Sequence, residues 1–460
     1  MMEMEQNRFF SVKGTIALAF LTGIVSVSLP FYSILSLIIS LIIFWRALID
    51  IAARKLFRFD PYITAWYLGI IPVNVIGSLG YAYRHFFGHR SDTVFESAIH
   101  ANAIILLLGI VFFLFGYYSS TWHSLFARRG KTSRHLTAGQ EFLVGMVLVS
   151  VIAAGIGYRL LSGTFAGITG YNAVMIQIQS ASLASKIMYY LPPLLLPVTI
   201  GFAVGLIMLS CSRLSLWLGW GILLLVMGFS LITGVRGYVI TVFLSYLVGL
   251  AIRKNGLRGR QLLRVVLFGV LVMAIFLSLT IMRLQGYLDE LRIHHVLESL
   301  IRSLDHSNVN LLVITKIPRD VDYLLGESLI SPLFFWVPSQ IAYWEPRTLG
   351  KQVALWQGFT QKSGVTSGVP LFAELYANFS YIGVALGSYL FGSVLRFVRS
   401  WALSRSDDLF CFTLYVSVTT RAPMIIRGDF YSAITPLLAG SIVLWVLFLT
   451  FRVIRSQGGV

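Results

Sequence analysis

Residues 215–253 read SLWLGWGILLLVMGFSLITGVRGYVITVFLSYLVGLAIR, two uncharged apolar runs joined by the turn Thr233-Gly234-Val235-Arg236-Gly237-Tyr238. A bilayer core is crossed by about 20 apolar residues in α-helical form. Inside hydrocarbon every backbone N–H and C=O must find its partner within the chain, so two such runs in succession read as helices. The connection is too short for anything but a tight turn. It leaves Arg236 at a membrane surface, between glycines that let another group approach the backbone.

The same ruler, carried outward, predicts about twelve spanning helices, near 14–30, 31–48, 62–83, 97–118, 140–160, 187–210, 215–233, 237–252, 265–283, 370–395, 409–426 and 431–452. Composition agrees: the 460 residues are 57% hydrophobic and 12% charged, against about 25% charged in soluble domains. The fold class is therefore all-α, a polytopic membrane protein forming one transmembrane domain over 1–460. The first apolar run follows Arg8 and Lys13 and has no small-residue cleavage motif, so it reads as a retained helix. No internal repeat or linker divides the chain.

The formal net charge of +17 does not point to nucleic acid, because the basic residues punctuate helix ends. Clusters at Arg46, Arg54, Lys55 and Arg58, at Arg128, Arg129, Lys131 and Arg134, at Arg253, Lys254, Arg258, Arg260 and Arg264, at Arg396, Arg399 and Arg405, and at Arg452 and Arg455 fall on alternate connections. The positive-inside bias puts these, with both termini, in the cytoplasm. One long loop, 284–369, then faces the other side. It carries helically spaced Leu297, Leu300, Ile301 and Leu304, followed by Pro332, Pro338 and Pro346 among Trp336, Trp344 and Trp356. Aromatic rings in a proline-stiffened loop suit the headgroup zone or stacking on sugars.

Several chemistries are absent from the sequence. It has no phosphate-binding glycine loop, no dinucleotide fingerprint and no HExxH. Adjacent His294 and His295 would diverge by about 100° on a helix, and Cys211 and Cys411 lie in separate apolar segments, so neither a metal site nor a cofactor is expected. What stands out is arginine on the outer side: Arg159, Arg236, Arg283, Arg421 and Arg427, with Pro423 loosening the helix between the last two. An ionisable group at membrane depth is a functional hypothesis by default, and several guanidinium forks converging on one surface would suit a diphosphate. The plain alternative is that each anchors at the interface or pairs with an acid such as Asp429.

The candidate general base is Glu374 in Pro370-Leu371-Phe372-Ala373-Glu374-Leu375-Tyr376-Ala377-Asn378. It lies one turn into an apolar helix that begins at a proline, and Asn378 and Tyr381 follow at four and seven residues, on one helical face. A carboxylate near the positive end of a helix stays ionised and can accept a proton from a sugar hydroxyl. A capping or ion-paired glutamate is the structural alternative. His306, in the loop stretch Asp305-His306-Ser307-Asn308, is the second candidate.

In the order of these features the chain resembles the Wzy-type O-antigen and oligosaccharide repeat-unit polymerases, relatives of the O-antigen ligases. The resemblance spans most of the chain. It rests on the number of helices, the late large loop, the arginine–glycine turn at 233–237, a segment from Pro370 to Gly383 re-entering the membrane, and an outer loop at 168–185 with Tyr171 and Asn172. The ligase branch has a histidine before the re-entering helix, where this chain reads Thr366-Ser367-Gly368-Val369.

The resemblance implies a GT-C-like, metal-independent glycosyltransferase of the bacterial inner membrane with its active site facing the periplasm. It would move a growing glycan from a polyprenyl-diphosphate donor onto a lipid-linked repeat, alongside a flippase and a chain-length regulator. Arg159, Arg236, Arg283, Arg421, Arg427, Asn378, Tyr381, Tyr171 and Asn172 would hold the substrates. The competing readings are a ligase that transfers glycan to a lipid core, a flippase or transporter, which would need polar groups at the bilayer midplane, and a non-catalytic scaffold.

Overall fold

The computed structural model describes residues 93–119, 137–162, 182–210, 212–233, 235–253, 267–275 without 273, 307–334, 348–359, and 367–457 without 406 and 429. The spans expected at 14–30, 31–48 and 62–83, most of that at 265–283, and parts of the 284–369 loop lie outside these residues, as do Arg283, His306, Tyr171 and Asn172.

The described chain is all-α. Its long helices are α1 (Thr93–Ser119), α2 (Ala138–Leu161), α3 (Leu183–Leu209), α4 (Arg213–Thr233) and α5 (Arg236–Arg253). The loop region contributes α6 (Ser307–Lys316), α7 (Glu327–Ile330) running into a 3-10 turn (Ser331–Phe334), and α8 (Leu349–Trp356). The chain closes with α9 (Leu371–Leu403), α10 (Leu409–Arg427) and α11 (Phe430–Gln457). Among the described residues six helices are long and apolar enough to cross a membrane: α2, α3, α4, α9, α10 and α11.

Helix α3 is the hub, packed against α2, α4, α5, α10 and α11. Phe202, Leu206, Val226, Phe229, Phe412 and Val416 fill the centre. Outward faces stay apolar, with Trp217, Leu224, Ile442 and Trp445 exposed, as expected where lipid is the solvent.

A second layer pairs α1 with α9. A Cβ on Gly116 would run into the carbonyl of Tyr389, and one on Gly392 into the carbonyl of Phe113. Backbones that approach this closely gain dispersion contacts, the main force between helices in lipid. Ser393 Oγ adds a hydrogen bond to the Gly116 carbonyl at 3.2 Å.

Helix α9 is not one rod. Phe379 (φ −143°, ψ 26°) and Ser380 (φ 59°, ψ −155°) leave helical geometry. In a straight helix residues 375 and 383 would stand about 12 Å apart along the axis, yet a Cβ on Gly383 would lie 2.5 Å from the Leu375 carbonyl oxygen. The chain reverses, so a half-helix, 371–378, folds back along the membrane helix that starts at Tyr381. This corrects the expectation of one continuous face carrying Glu374, Asn378 and Tyr381, because the break resets the helical phase.

Part of the expected loop packs onto this half-helix. Val309, Val313 and Ile317 from the α6 region, Leu324, and Leu349 and Val353 of α8 enclose Ala373 and Ala377.

Candidate functional site

One end of the bundle gathers the C-terminal turns of α2, α4 and α10 with the N-terminal turns of α3, α5, α9 and α11. Proline chemistry explains part of it. Pro193 inside α3 has no N–H to give the carbonyl four residues back, which is that of Tyr189. Arg159, in the last turn of α2, donates from Nη2 to this Tyr189 oxygen at 3.1 Å. Its guanidinium carbon lies 3.9 Å from the centre of the Tyr189 ring and 5.1 Å from that of Phe229.

Arg421 approaches the same aromatic wall from α10. Its guanidinium carbon is 5.9 Å from the Tyr238 ring, whose centroid is 6.4 Å from that of Phe229. The Tyr238 side chain is thus the polar ring that faces Arg421. Arg421 Nη1 donates to Met424 Sδ at 3.0 Å, a weak acceptor. Arg159 is 3% exposed and Arg421 5%. Three of their N–H-bearing atoms, Nε of Arg159 and Nε and Nη2 of Arg421, are buried without a hydrogen-bond partner. Among the described residues no carboxylate lies within ion-pair distance of either. Two buried guanidiniums without a counter-anion are costly, and the rings offset only part of that by cation–π attraction.

The turn into α5 meets the same place, since a Cβ on Gly237 would stand 3.0 Å from Met424 Cε. This puts the backbone of Arg236 beside the last turn of α10, while its side chain lies outside the described residues. Arg427 ends α10 half-buried, followed by Gly428, whose N–H closes the helix onto the Met424 carbonyl at 2.7 Å.

Glu374 is fully buried. Its Oε2 accepts the backbone N–H of Phe430 at 3.0 Å. Phe430 opens α11 just after the turn that carries Arg427, so the half-helix carboxylate and the α10 arginines belong to one corner. Asn378 is also fully buried and is engaged by protein groups on both sides of its amide. Tyr381 stands beyond the chain reversal, 36% exposed, its ring edge-on to Tyr376 at 5.4 Å.

A solvated contrast lies on the loop side. Lys316 Nζ donates to Asp320 Oδ2 at 2.6 Å, and this bond holds the Asp320 carboxyl below its ordinary pKa. Nearby, α1, the end of α6 and Tyr376 border an open groove of about 320 Å³, lined by Ala98, Ala101 and Arg319 among others. Among the described residues no three His, Cys, Asp or Glu side chains cluster as a metal site.

The structure thus brings together Arg159, Arg421, Arg427, Glu374 and the backbone of Arg236. Reading the sequence missed the aromatic wall of Tyr189, Phe229 and Tyr238, although Pro193 four residues after Tyr189 is a signal for a freed carbonyl. It also missed Ser328 and Gly326, the partners of Asn378, for which no sequence pattern exists.

Residues 9–456 match the family model described as O-antigen polysaccharide polymerase Wzy. No curated protein and no solved structure matches the chain. With nearly its whole length covered, and with a helical membrane architecture, the chain belongs to the O-antigen polysaccharide polymerase Wzy family, multi-pass membrane glycosyltransferases that join lipid-linked repeat units into polysaccharide.

Proposed function

We propose that this corner is the active site, that it faces the periplasm, and that Arg159 and Arg421 hold the diphosphate of a polyprenyl-linked glycan donor. The observation that carries the reading is the pair of buried guanidiniums in which Nε of Arg159 and Nε and Nη2 of Arg421 have no hydrogen-bond partner, with no acid beside them among the described residues. A diphosphate would supply both the missing acceptors and the missing charge. Arg236, in the turn that carries the resemblance, and Arg427, an outer arginine of the sequence, would share the same duty, since the backbone of Arg236 and the end of α10 border this corner.

In the reaction the sugar C1–O bond to the donor diphosphate breaks and a bond from C1 to the acceptor hydroxyl oxygen forms. The hydroxyl proton passes to Glu374, and the polyprenyl diphosphate leaves with its charge opposed by the arginines. Preorganised positive groups stabilise that developing charge without reorganising, which supports a mechanism that needs no metal. The Phe430 N–H fixes one carboxylate oxygen of Glu374, orienting the group for proton transfer.

A ligase reading is weaker because no histidine precedes the half-helix, where the chain reads Thr366 to Val369. The test is to delete the gene and complement it with wild-type or Arg421→Ala chains, then to resolve surface polysaccharide on a gel. Single-repeat products from the variant support the assignment. Wild-type ladders from a normally inserted Arg421→Ala chain overturn it, and loss of all surface attachment in the deletion would indicate a ligase.

A further inference from the structure

The half-helix is fastened to the loop region by a segment in unusual backbone geometry, and Asn378 is the side chain that joins them. Its Nδ2 donates to Ser328 Oγ at 2.8 Å and to the Glu374 carbonyl at 2.7 Å, and its Oδ1 accepts the Gly326 N–H at 2.9 Å. The N–H groups of Leu324 and Leu325 donate to the carbonyls of Ala377 and Asn378 at 3.0 and 3.2 Å. These are carbonyls that a helix end leaves without partners.

Leu325 (φ 48°), Gly326 (φ 93°) and Ser380 (φ 59°) all lie in the left-handed region. Side-chain-bearing residues persist there only where their surroundings over-determine them, and such strain collects at functional sites. Gly326 has a further constraint, since a Cβ would sit 3.1 Å from Phe379 Cζ. The segment continues through α7 into the 3-10 turn, which packs on α11, the helix whose first N–H holds Glu374. Segment 324–328 therefore holds the end of the half-helix that carries Glu374, and the 3-10 turn after it packs on the helix that binds the Glu374 side chain.

We propose that Asn378 is a positioning residue, which touches no substrate and fixes the half-helix, and with it the Glu374 carboxylate, to segment 324–328. The idea rests on Glu374 being the general base. It accounts for a fully buried amide whose oxygen and nitrogen are both bound by protein groups.

The test uses the full-length protein in lipid vesicles with a lipid-linked repeat as substrate. Initial rates are measured against substrate concentration and pH for Asn378→Ala, Ser328→Ala, the double variant, Ser328→Thr and Glu374→Gln. Ser328→Ala removes one acceptor on another element and should lower kcat about three- to tenfold at unchanged KM. Asn378→Ala should lower it about 10- to 100-fold, with the double variant no worse, because both act through one contact network. The acid limb of the kcat–pH profile should move in these variants, and Ser328→Thr, which keeps the hydroxyl, should restore the rate.

Wild-type kcat with an unmoved acid limb in Ser328→Ala overturns the proposal, as does a rise in KM alone in Asn378→Ala, which would make the amide a substrate contact. Full activity of Glu374→Gln would remove the base assignment. Non-additivity of Asn378 and Ser328 in kcat would then still support the clasp, and additivity would overturn it.

Discussion

The Glu374 carboxylate on the half-helix accepts a hydrogen bond from the backbone N–H of Phe430, 56 residues later in the chain, at 3.0 Å. The contact ties the half-helix to the turn between α10 and α11. Glutamine at 374 keeps the acceptor for Phe430 and the size of the side chain but loses the proton-accepting oxygen. General-base assistance is worth about 10²–10⁴-fold, so Glu374→Gln is expected to accumulate single repeats while still binding lipid-linked substrate. Both are measurable, by polysaccharide gel and by substrate pull-down. Wild-type chain lengths would pass the role to His306, and His306→Ala would then be the damaging substitution.

Arg159→Lys and Arg421→Lys keep the charge and lose the planar fork. Lysine at either position should insert normally and lose most polymerisation, and Arg236→Lys and Arg427→Lys should behave alike. Gel ladders normalised to expression decide the matter. Normal ladders from all four would make these arginines interface anchors.

The α1–α9 seam predicts a stability defect with no direct chemical cause. Valine at Gly116 or Gly392 would drive Cβ into the opposing backbone carbonyl. Overpacking of this kind costs about 1–3 kcal/mol. Thermal unfolding of the detergent-solubilised variants should begin at lower temperature, while surface-exposed Ile442→Val leaves it unchanged.

Orientation is checked by single cysteines read with an impermeant thiol reagent. Ser180→Cys and Ser363→Cys are expected to label from outside the inner membrane, and Ser133→Cys is not, following the alternation of basic clusters. External labelling at position 133 would reverse the bundle and put the arginine corner in the cytoplasm.

Membrane-spanning helices were legible in the sequence because lipid imposes a local rule. A run such as 215–233 must satisfy its own backbone wherever it packs, so length and apolarity identify α4 without its neighbours. Arg421 and Glu374 were legible as candidates for the same reason, a charge in an apolar run being conspicuous. The family, too, could be named from the order of such features.

Only the tertiary structure decided what those residues face. The resemblance implied a re-entering segment from Pro370 to Gly383, but apolar periodicity through 371–403 does not mark where the chain reverses, because both arms of the hairpin are apolar, and the break at Phe379 and Ser380 is stabilised by Leu324, Leu325 and Gly326 some 50 residues away. The meeting of Arg159 with Arg421 across Tyr189, Phe229 and Tyr238 likewise depends on five helices meeting at one end of the bundle. Such contacts arise from packing between distant segments, and local sequence carries no record of which segment will arrive.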